Sequence, residues 1–328
     1  MPAFPATRPR RNRRTPWLRA LVRETSWSPA NLIWPVFLTA GPEAEAIPSL
    51  PGVVRHPVSA LAELAREAEA LGIPAIALFP HTPAERRTPD GREALNPDNL
   101  VCRAIAEIRS ATDAVGVMAD VALDPYTSHG HDGLVDAQGR VLNDPTIEVL
   151  VGQALNQARA GADILAPSDM MDGRVGAIRR ALEAEGFADV HLMAYAAKYA
   201  SAFYGPFRDA VGAAGRLTGD KRGYQMDPAN AREALLEVAL DLEEGADSVI
   251  VKPGLAYLDV VQKVAERFDV PVFAYCVSGE YAMVEAAVRA GILERDAAVT
   301  EVMTAFRRAG ARGVLTYHAP HLARLWSA

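Results

Sequence analysis

Short apolar runs rich in β-branched residues alternate along the chain with longer stretches of Ala, Leu, Glu and Arg. The runs fall at Leu32–Leu38, Ala75–Phe79, Val115–Leu123, Ala162–Ser168, Val190–Ala196, Asp247–Lys252, Pro271–Ser278 and Gly313–Tyr317. They are apolar at successive positions rather than alternate ones, as strands covered on both faces must be. The stretches between them, such as Ser59–Leu71, Asn99–Ala111, Ile147–Ala160 and Pro228–Gly245, predict helices. Several meet a glycine just before the next run (Gly72, Gly161, Gly245, Gly310), which is how helices commonly close. Eight such units in roughly 290 residues predict one closed (β/α)8 TIM barrel of the α/β class. It spans 28–328, after an extended N-terminal arm at 1–27. A doubly wound open sheet is the runner-up, disfavoured because no Gly-x-Gly-x-x-Gly follows the first run. Gly205–Tyr224 is long and glycine-rich and follows the fifth run, which predicts an active-site lid at about 203–224.

Charge sharpens this picture. The 328 residues hold 34 Lys+Arg against 41 Asp+Glu, a net −7. Arg8, Arg10, Arg11, Arg13 and Arg14 lie in a head with no acid, so the rest carries 29 basic residues against 41 acidic ones, a net −12. An acidic body has no basic surface for phosphates, which excludes nucleic acid as the partner. A hydrophobic fraction of 50% excludes general disorder. Cys102 and Cys276 are too few for a disulfide framework or a cysteine-based zinc site, and Cys102, in a predicted helix, reads as a small core residue. No apolar run approaches the ~18 residues of a membrane span, so no membrane partner is expected. The N-terminus lacks a signal peptide's apolar core, and Pro2, Pro5, Pro9 and Pro16 spoil the amphipathic helix of a transit peptide. The expected location is cytoplasmic.

In such a barrel the chemistry sits where strands end. The third run carries Asp120 and continues into Asp124, His129, His131 and Asp132, and the fourth runs out at Ser168-Asp169. Lys198 lies just past the fifth, and the sixth ends at Lys252. The seventh delivers Tyr275 and Ser278, and the eighth Tyr317. A buried strand ending in lysine is informative, because lysine is rarely buried without a partner or a task. The chain has only four lysines: Lys198, Lys221, Lys252 and Lys263. Two converging on one mouth point to amine catalysis, since a desolvated lysine beside another cation becomes a nucleophile toward ketones. Arg208 and Lys221, with Arg216 and Arg222 nearby, lie in the predicted lid and are suited to clamp a carboxylate. The 120–132 loop reads equally as metal ligands or as plain turn chemistry. His56 and His321 read as surface groups.

Six blocks then resemble one family. They are Asp120–Gly133 (DVALDPYTSHGHDG), Pro167–Val175 (PSDMMDGRV), Ala197–Asp209 (AKYASAFYGPFRD), Gly219–Met226 (GDKRGYQM), Val249–Gly254 (VIVKPG) and Val277–Met283 (VSGEYAM). The chain is similar to porphobilinogen synthase (5-aminolevulinate dehydratase), a hydro-lyase of heme and chlorophyll (tetrapyrrole) biosynthesis. The family condenses two 5-aminolevulinate molecules into porphobilinogen and two waters. The resemblance implies Schiff bases on Lys252, for the propionate-side substrate, and on Lys198, for the acetate side. It implies that Arg208, Lys221 and Gln225 clamp the acetate-side carboxylate and that Ser278 and Tyr317 hold the propionate-side one. Asp120, Ser168 and Tyr275 would line the site. It implies no organic cofactor. Zinc-using members carry three cysteines where this chain has Ala122, Asp124 and Asp132, so zinc is not expected. Members of this kind are often activated by magnesium or a monovalent cation, or need no metal. Glu233 matches the allosteric magnesium ligand, and Arg232 beside it places a competing positive charge there. Family members assemble as homo-octamers or homo-hexamers, with the arm embracing a neighbour.

Two other readings compete. A class I aldolase needs a phosphate nest after the last strands, and Ser278-Gly279 and Tyr317-His318 make a weak one. A catalytically dead oligomeric scaffold has no use for both Lys198 and Lys252.

Overall fold

Each predicted run forms a strand, and the eight close into a ring in the computed structural model, which describes residues 3–212 and 215–327. Residues 1–2 of the arm, 213–214 of the lid and 328 lie outside the described residues. The strands are β1 Leu32–Thr39, β2 Ala75–His81, β3 Gly116–Val121, β4 Ile164–Pro167, β5 His191–Lys198, β6 Ser248–Lys252, β7 Val272–Tyr275 and β8 Gly313–Leu315. All neighbours pair in parallel, and β8 returns to β1 through Leu32↔Val314 and Ile33↔Leu315, which closes the barrel. An element the apolar pattern did not reveal follows β1. Two short strands, Glu45–Ala46 and Val54–Pro57, form a hairpin, and the second pairs with the end of β1. They are too short and too polar to register as a run.

The alternation of side chains along each strand splits the core in two. Ile33, Phe37, Ala77, Phe79, Met118, Ala166, Met193, Tyr195, Ile250, Tyr275 and Leu315 point into the barrel. Leu32, Val36, Leu38, Ile76, Leu78, Val117, Leu165, Val249 and Val251 point out, against the helices. The upper interior is therefore unusually aromatic. Each such ring contributes roughly 4–6 kcal/mol of transfer free energy on burial, before conformational entropy is subtracted.

The main outer helices are Leu61–Ala70, Leu100–Ala111, Asn143–Ala160, Arg174–Ala184, Glu233–Glu243, Leu258–Arg267, Ser278–Arg289, Arg295–Arg308 and Ala319–Ser327. Asn99 starts the second by accepting the Val101 and Cys102 N–H groups at 2.9 and 3.1 Å, and Cys102 packs in the core as expected. The four expected closing glycines all take left-handed φ, from 69° at Gly72 to 104° at Gly245. In the arm, the short helical segments Pro9–Arg13 and Pro16–Leu21 bury no residue, and Trp17 and Leu21 stand 64% and 75% exposed. Among the described residues no helix is long and apolar enough to cross a membrane.

Candidate active site

Lys252 ends β6 and Lys198 ends β5, and their Cα atoms are register partners across the two strands. Lys198 is thus the last strand residue rather than one just beyond the strand, because β5 continues past the apolar run. A register shift lies between Ala194 and Ala197. Without it, Tyr195 facing inward would send Ala197 inward and Lys198 outward. Instead Ala196 and Ala197 both pack on the helix side, and Lys198 turns into the mouth. A bulge here re-aims a functional side chain.

The two amines meet different surroundings. Lys252 Nζ lies 4.9 Å from the Tyr195 ring centre, 5.5 Å from Tyr204, 4.7 Å from Phe207 and 4.9 Å from Tyr275. Burial, and then repulsion from Lys198, push its pKa down to about 7. Lys198 Nζ instead donates to Asp132 Oδ1 at 3.2 Å and, more closely, to the Ser168 carbonyl. Asp132 also receives Lys221 at 2.6 Å and the Tyr224 hydroxyl at 2.8 Å. Lys221 reaches Asp124 at 3.3 Å. Burial alone would raise the Asp132 pKa, but Lys198 and Lys221 hold it well below the carboxylate range. Asp120 faces inward between the two lysines. Burial outweighs their pull and lifts its pKa to about 6, and its Oδ1 has no hydrogen-bond partner among the described residues.

The lid is short helix and loop rather than bare coil, with a 3-10 turn at Ala202–Tyr204 and a helix at Gly205–Ala210. It is seated on the site. The Phe207 N–H donates to Ser278 Oγ at 2.9 Å, Arg216 Nη1 donates to the Thr127 carbonyl at 2.6 Å, and His131 Nε2 meets the Thr218 carbonyl at 2.8 Å. A Cβ at Gly279 would lie 2.5 Å from the Phe203 carbonyl oxygen, so only glycine lets the lid approach there. His131 Nδ1 contacts the Tyr224 hydroxyl at 3.2 Å and His129 Nε2 the Pro89 carbonyl at 3.1 Å, so these rings serve loop and lid docking.

Of the other sequence-derived residues, Ser278 opens the helix after β7 rather than ending the strand. Tyr317, just beyond β8, shares a 2.9 Å hydrogen bond with Tyr275. Gln225 is buried, and its Oε1 has no hydrogen-bond partner among the described residues. Arg208 sits on the lid helix, partly exposed, with no hydrogen bond or ion pair among the described residues. His56 and His321 are half-buried rather than surface groups, and His321 contacts Asp296 at 2.8 Å. Lys263 is the surface lysine, paired with Asp259 at 2.9 Å. The sequence reasoning missed the walls around Lys252: Tyr195, Tyr204 and Phe207. Strand alternation could have found Tyr195, two positions after inward Met193.

The zinc positions fail a donor test. Ala122 is buried and offers only a methyl group, while Asp124 and Asp132 share the Lys221 ammonium. Among the described residues no three His, Cys, Asp or Glu side chains gather as a metal site requires.

The chain matches the family described as Delta-aminolevulinic acid dehydratase over residues 6–325. It is 59% identical to the delta-aminolevulinic acid dehydratase of Bradyrhizobium diazoefficiens, over 97% of this chain and 90% of that protein. It is 54% identical to that of Rhodobacter capsulatus, over 99% and 98%. The structure of the Toxoplasma gondii ME49 enzyme, in complex with the reaction product porphobilinogen, superposes with a TM-score of 0.95 at 48% identity, covering 97% of this chain and 91% of that one. The closed parallel barrel, the paired strand-end lysines and these matches agree: the chain belongs to the delta-aminolevulinic acid dehydratase family.

Proposed function

We propose that Lys252 and Lys198 each hold one 5-aminolevulinate as a Schiff base while this chain joins the two into porphobilinogen with loss of two waters. The reaction is the family's hydro-lyase reaction of tetrapyrrole biosynthesis; the residue roles are our assignment. What carries it is the Lys252 amine, buried among aromatic rings with a pKa near 7 and so substantially neutral at physiological pH. A neutral amine forms a bond to the ketone carbon as the carbonyl π pair moves to oxygen. Both nitrogen protons end on that oxygen, which leaves as water. Asp120, titrating near 6 between the two lysines, relays those protons. The enamine carbon of the Lys198-bound substrate joins the Lys252 imine carbon, and the free amino group of the Lys252-bound substrate then attacks the Lys198 imine carbon. The two C–N bonds to the lysines break as the ring carbons lose protons, which returns both lysines as free amines. The seated lid and aromatic walls keep out the water that would hydrolyse the imines.

The propionate-side carboxylate meets Ser278 and the Tyr317–Tyr275 hydroxyl pair. The acetate-side carboxylate meets Arg208, Gln225 and Lys221, the last released in part from its aspartates. Zinc has no part, because its positions hold a protein ammonium. Magnesium or a monovalent cation as activator is assigned to Glu233, which accepts Asn230 Nδ2 at 2.8 Å and lines a cavity of about 560 Å3 with Glu237. Magnesium bound by so few carboxylates keeps much of its water shell. The exposed arm embraces a second copy, its arginines against the acidic body, giving a homo-octamer or homo-hexamer. Removing residues 1–27 then yields a smaller particle in light scattering.

Incubation with 5-aminolevulinate followed by a colour assay for porphobilinogen tests the function, and borohydride reduction tests the roles. A reduced adduct on Lys252 is expected. Neither product nor adduct favours the dead scaffold, and cleavage of a sugar phosphate favours an aldolase.

A further inference from the structure

Met170 is the only non-glycine residue among the described residues with a positive φ, 68°. It lies two residues after Ser168, whose carbonyl receives the Lys198 ammonium. A side chain held in the left-handed region persists only where its surroundings over-determine it. Here those surroundings are a buried charge array. Asp169 Oδ1 accepts the Met171 N–H at 2.8 Å across the turn. Asp169 Oδ2 lies 3.9 Å from Arg174 Nε, and Arg174 grips Asp241 with both terminal nitrogens, Nη2 at 3.0 Å from Oδ2. Asp169, Arg174 and Asp241 are 0%, 2% and 1% exposed. Arg174 Nη2 also reaches Met170 Sδ at 4.0 Å and the Tyr195 carbonyl at 3.4 Å. Tyr195 lies within the bulged stretch of β5 that turns Lys198 into the mouth.

One guanidinium therefore braces both the turn that receives Lys198 and the bulge that aims it. We propose that Arg174, anchored by Asp241 and steadied by Asp169, is a positioning residue for Lys198. It touches neither substrate nor reacting atoms. It keeps the Ser168 carbonyl and the end of β5 in the geometry that presents the Lys198 amine. Lysine cannot replace it, because the planar fork makes several directed contacts at once. Lys252, on β6, shares only the Tyr195 ring with this brace; its other walls, Tyr204, Phe207 and Tyr275, stand outside the brace's contacts.

This inference rests on the assignment of one Schiff base to each lysine. Its test is the partition of borohydride-trapped 5-aminolevulinate between the Lys198 and Lys252 peptides, read by mass spectrometry, with kcat and KM measured in parallel. In the unsubstituted chain, failure to trap at either lysine refutes the Schiff-base assignment itself. If both are trapped there, Arg174→Lys should lower labelling of Lys198 relative to Lys252 by about tenfold or more, with kcat falling. Asp241→Asn keeps the shape but weakens the anchor, and should give a smaller shift in the same direction. Met170→Gly adopts the left-handed turn without strain, so adding it to Arg174→Lys should recover part of the Lys198 labelling. A general loss of folding lowers both labels together. An unchanged partition in Arg174→Lys and Asp241→Asn, or an equal fall at both lysines in the folded fraction, overturns the proposal.

Discussion

Lys252 and Lys198 face each other across two adjacent strands, yet one stands in a pocket of rings and the other in a chain of charges. Around Lys252 the walls are Tyr195, Tyr204, Phe207 and Tyr275, and the dominant influence is desolvation. Around Lys198 the sequence of contacts is Lys198, Asp132, Lys221, Asp124, two positive and two negative groups. Asp132 stabilises the Lys198 ammonium, whereas among the described residues no carboxylate pairs with Lys252. On the roles proposed above, two lysines with similar covalent tasks are thus surrounded in opposite ways. The proposed roles then place the first imine at Lys252, with the Lys198 amine held by Asp132 until a substrate carboxylate competes for Lys221.

The largest effect expected from breaking this contrast is at the amines themselves. Lys252→Met should lower turnover by at least about 10⁴-fold with an unchanged circular dichroism spectrum, as loss of a covalent nucleophile does. Lys198→Met should be similarly inactive yet still trap 5-aminolevulinate at Lys252, and a Lys198 variant that traps nothing would merge the two sites into one. Next comes Asp132→Asn, which leaves two ammoniums without their shared counter-ion. We expect turnover to fall by about 10²–10³-fold while trapping at Lys252 persists. A smaller effect follows from Phe207→Ala, which admits water beside Lys252. Trapping at Lys252 should rise about tenfold per pH unit below pH 7 and level off above it, since only the free amine reacts. The variant's profile should move toward the ordinary lysine value of 10.5 by a unit or more. A profile that moves to lower pH would contradict desolvation as the cause. The smallest effect, none at all, is expected from 1,10-phenanthroline; activity lost to it and restored by zinc alone would overturn the lysine-for-metal reading of Asp124 and Asp132.

Lys252 was legible along the chain. Ile250 faces the barrel interior, and strict alternation over Ser248–Lys252 brings Lys252 inward as well. The same counting places Asp120 two after Met118 and Tyr275 two after Phe273. It fails for Lys198, because the shift between Ala194 and Ala197 reverses the parity of the strand. Its place just past the fifth run and the motif around it marked Lys198 as functional, but neither said which way it points. Of the aromatic walls, Tyr275 was legible and Tyr195 follows from alternation, but Tyr204 and Phe207 were not, since they come from the 203–224 segment and no local pattern says that it meets β6. Nor was the bond between Lys221 and Asp132, residues from a lid and a distant loop. In isolation Lys221 read as a free cation for a carboxylate.

The amino-acid order by itself determined the eight strands, the helices between them and their closing glycines, because each follows from local periodicity and local backbone preference. It determined which chemical groups arrive at the strand ends, and its six motif blocks carried the resemblance to the family. Tertiary structure alone decided which way Lys198 points and that the Lys252 pKa is pushed down. A pKa depends on desolvation and on charges within a few ångströms, and those neighbours come from segments far apart in the chain.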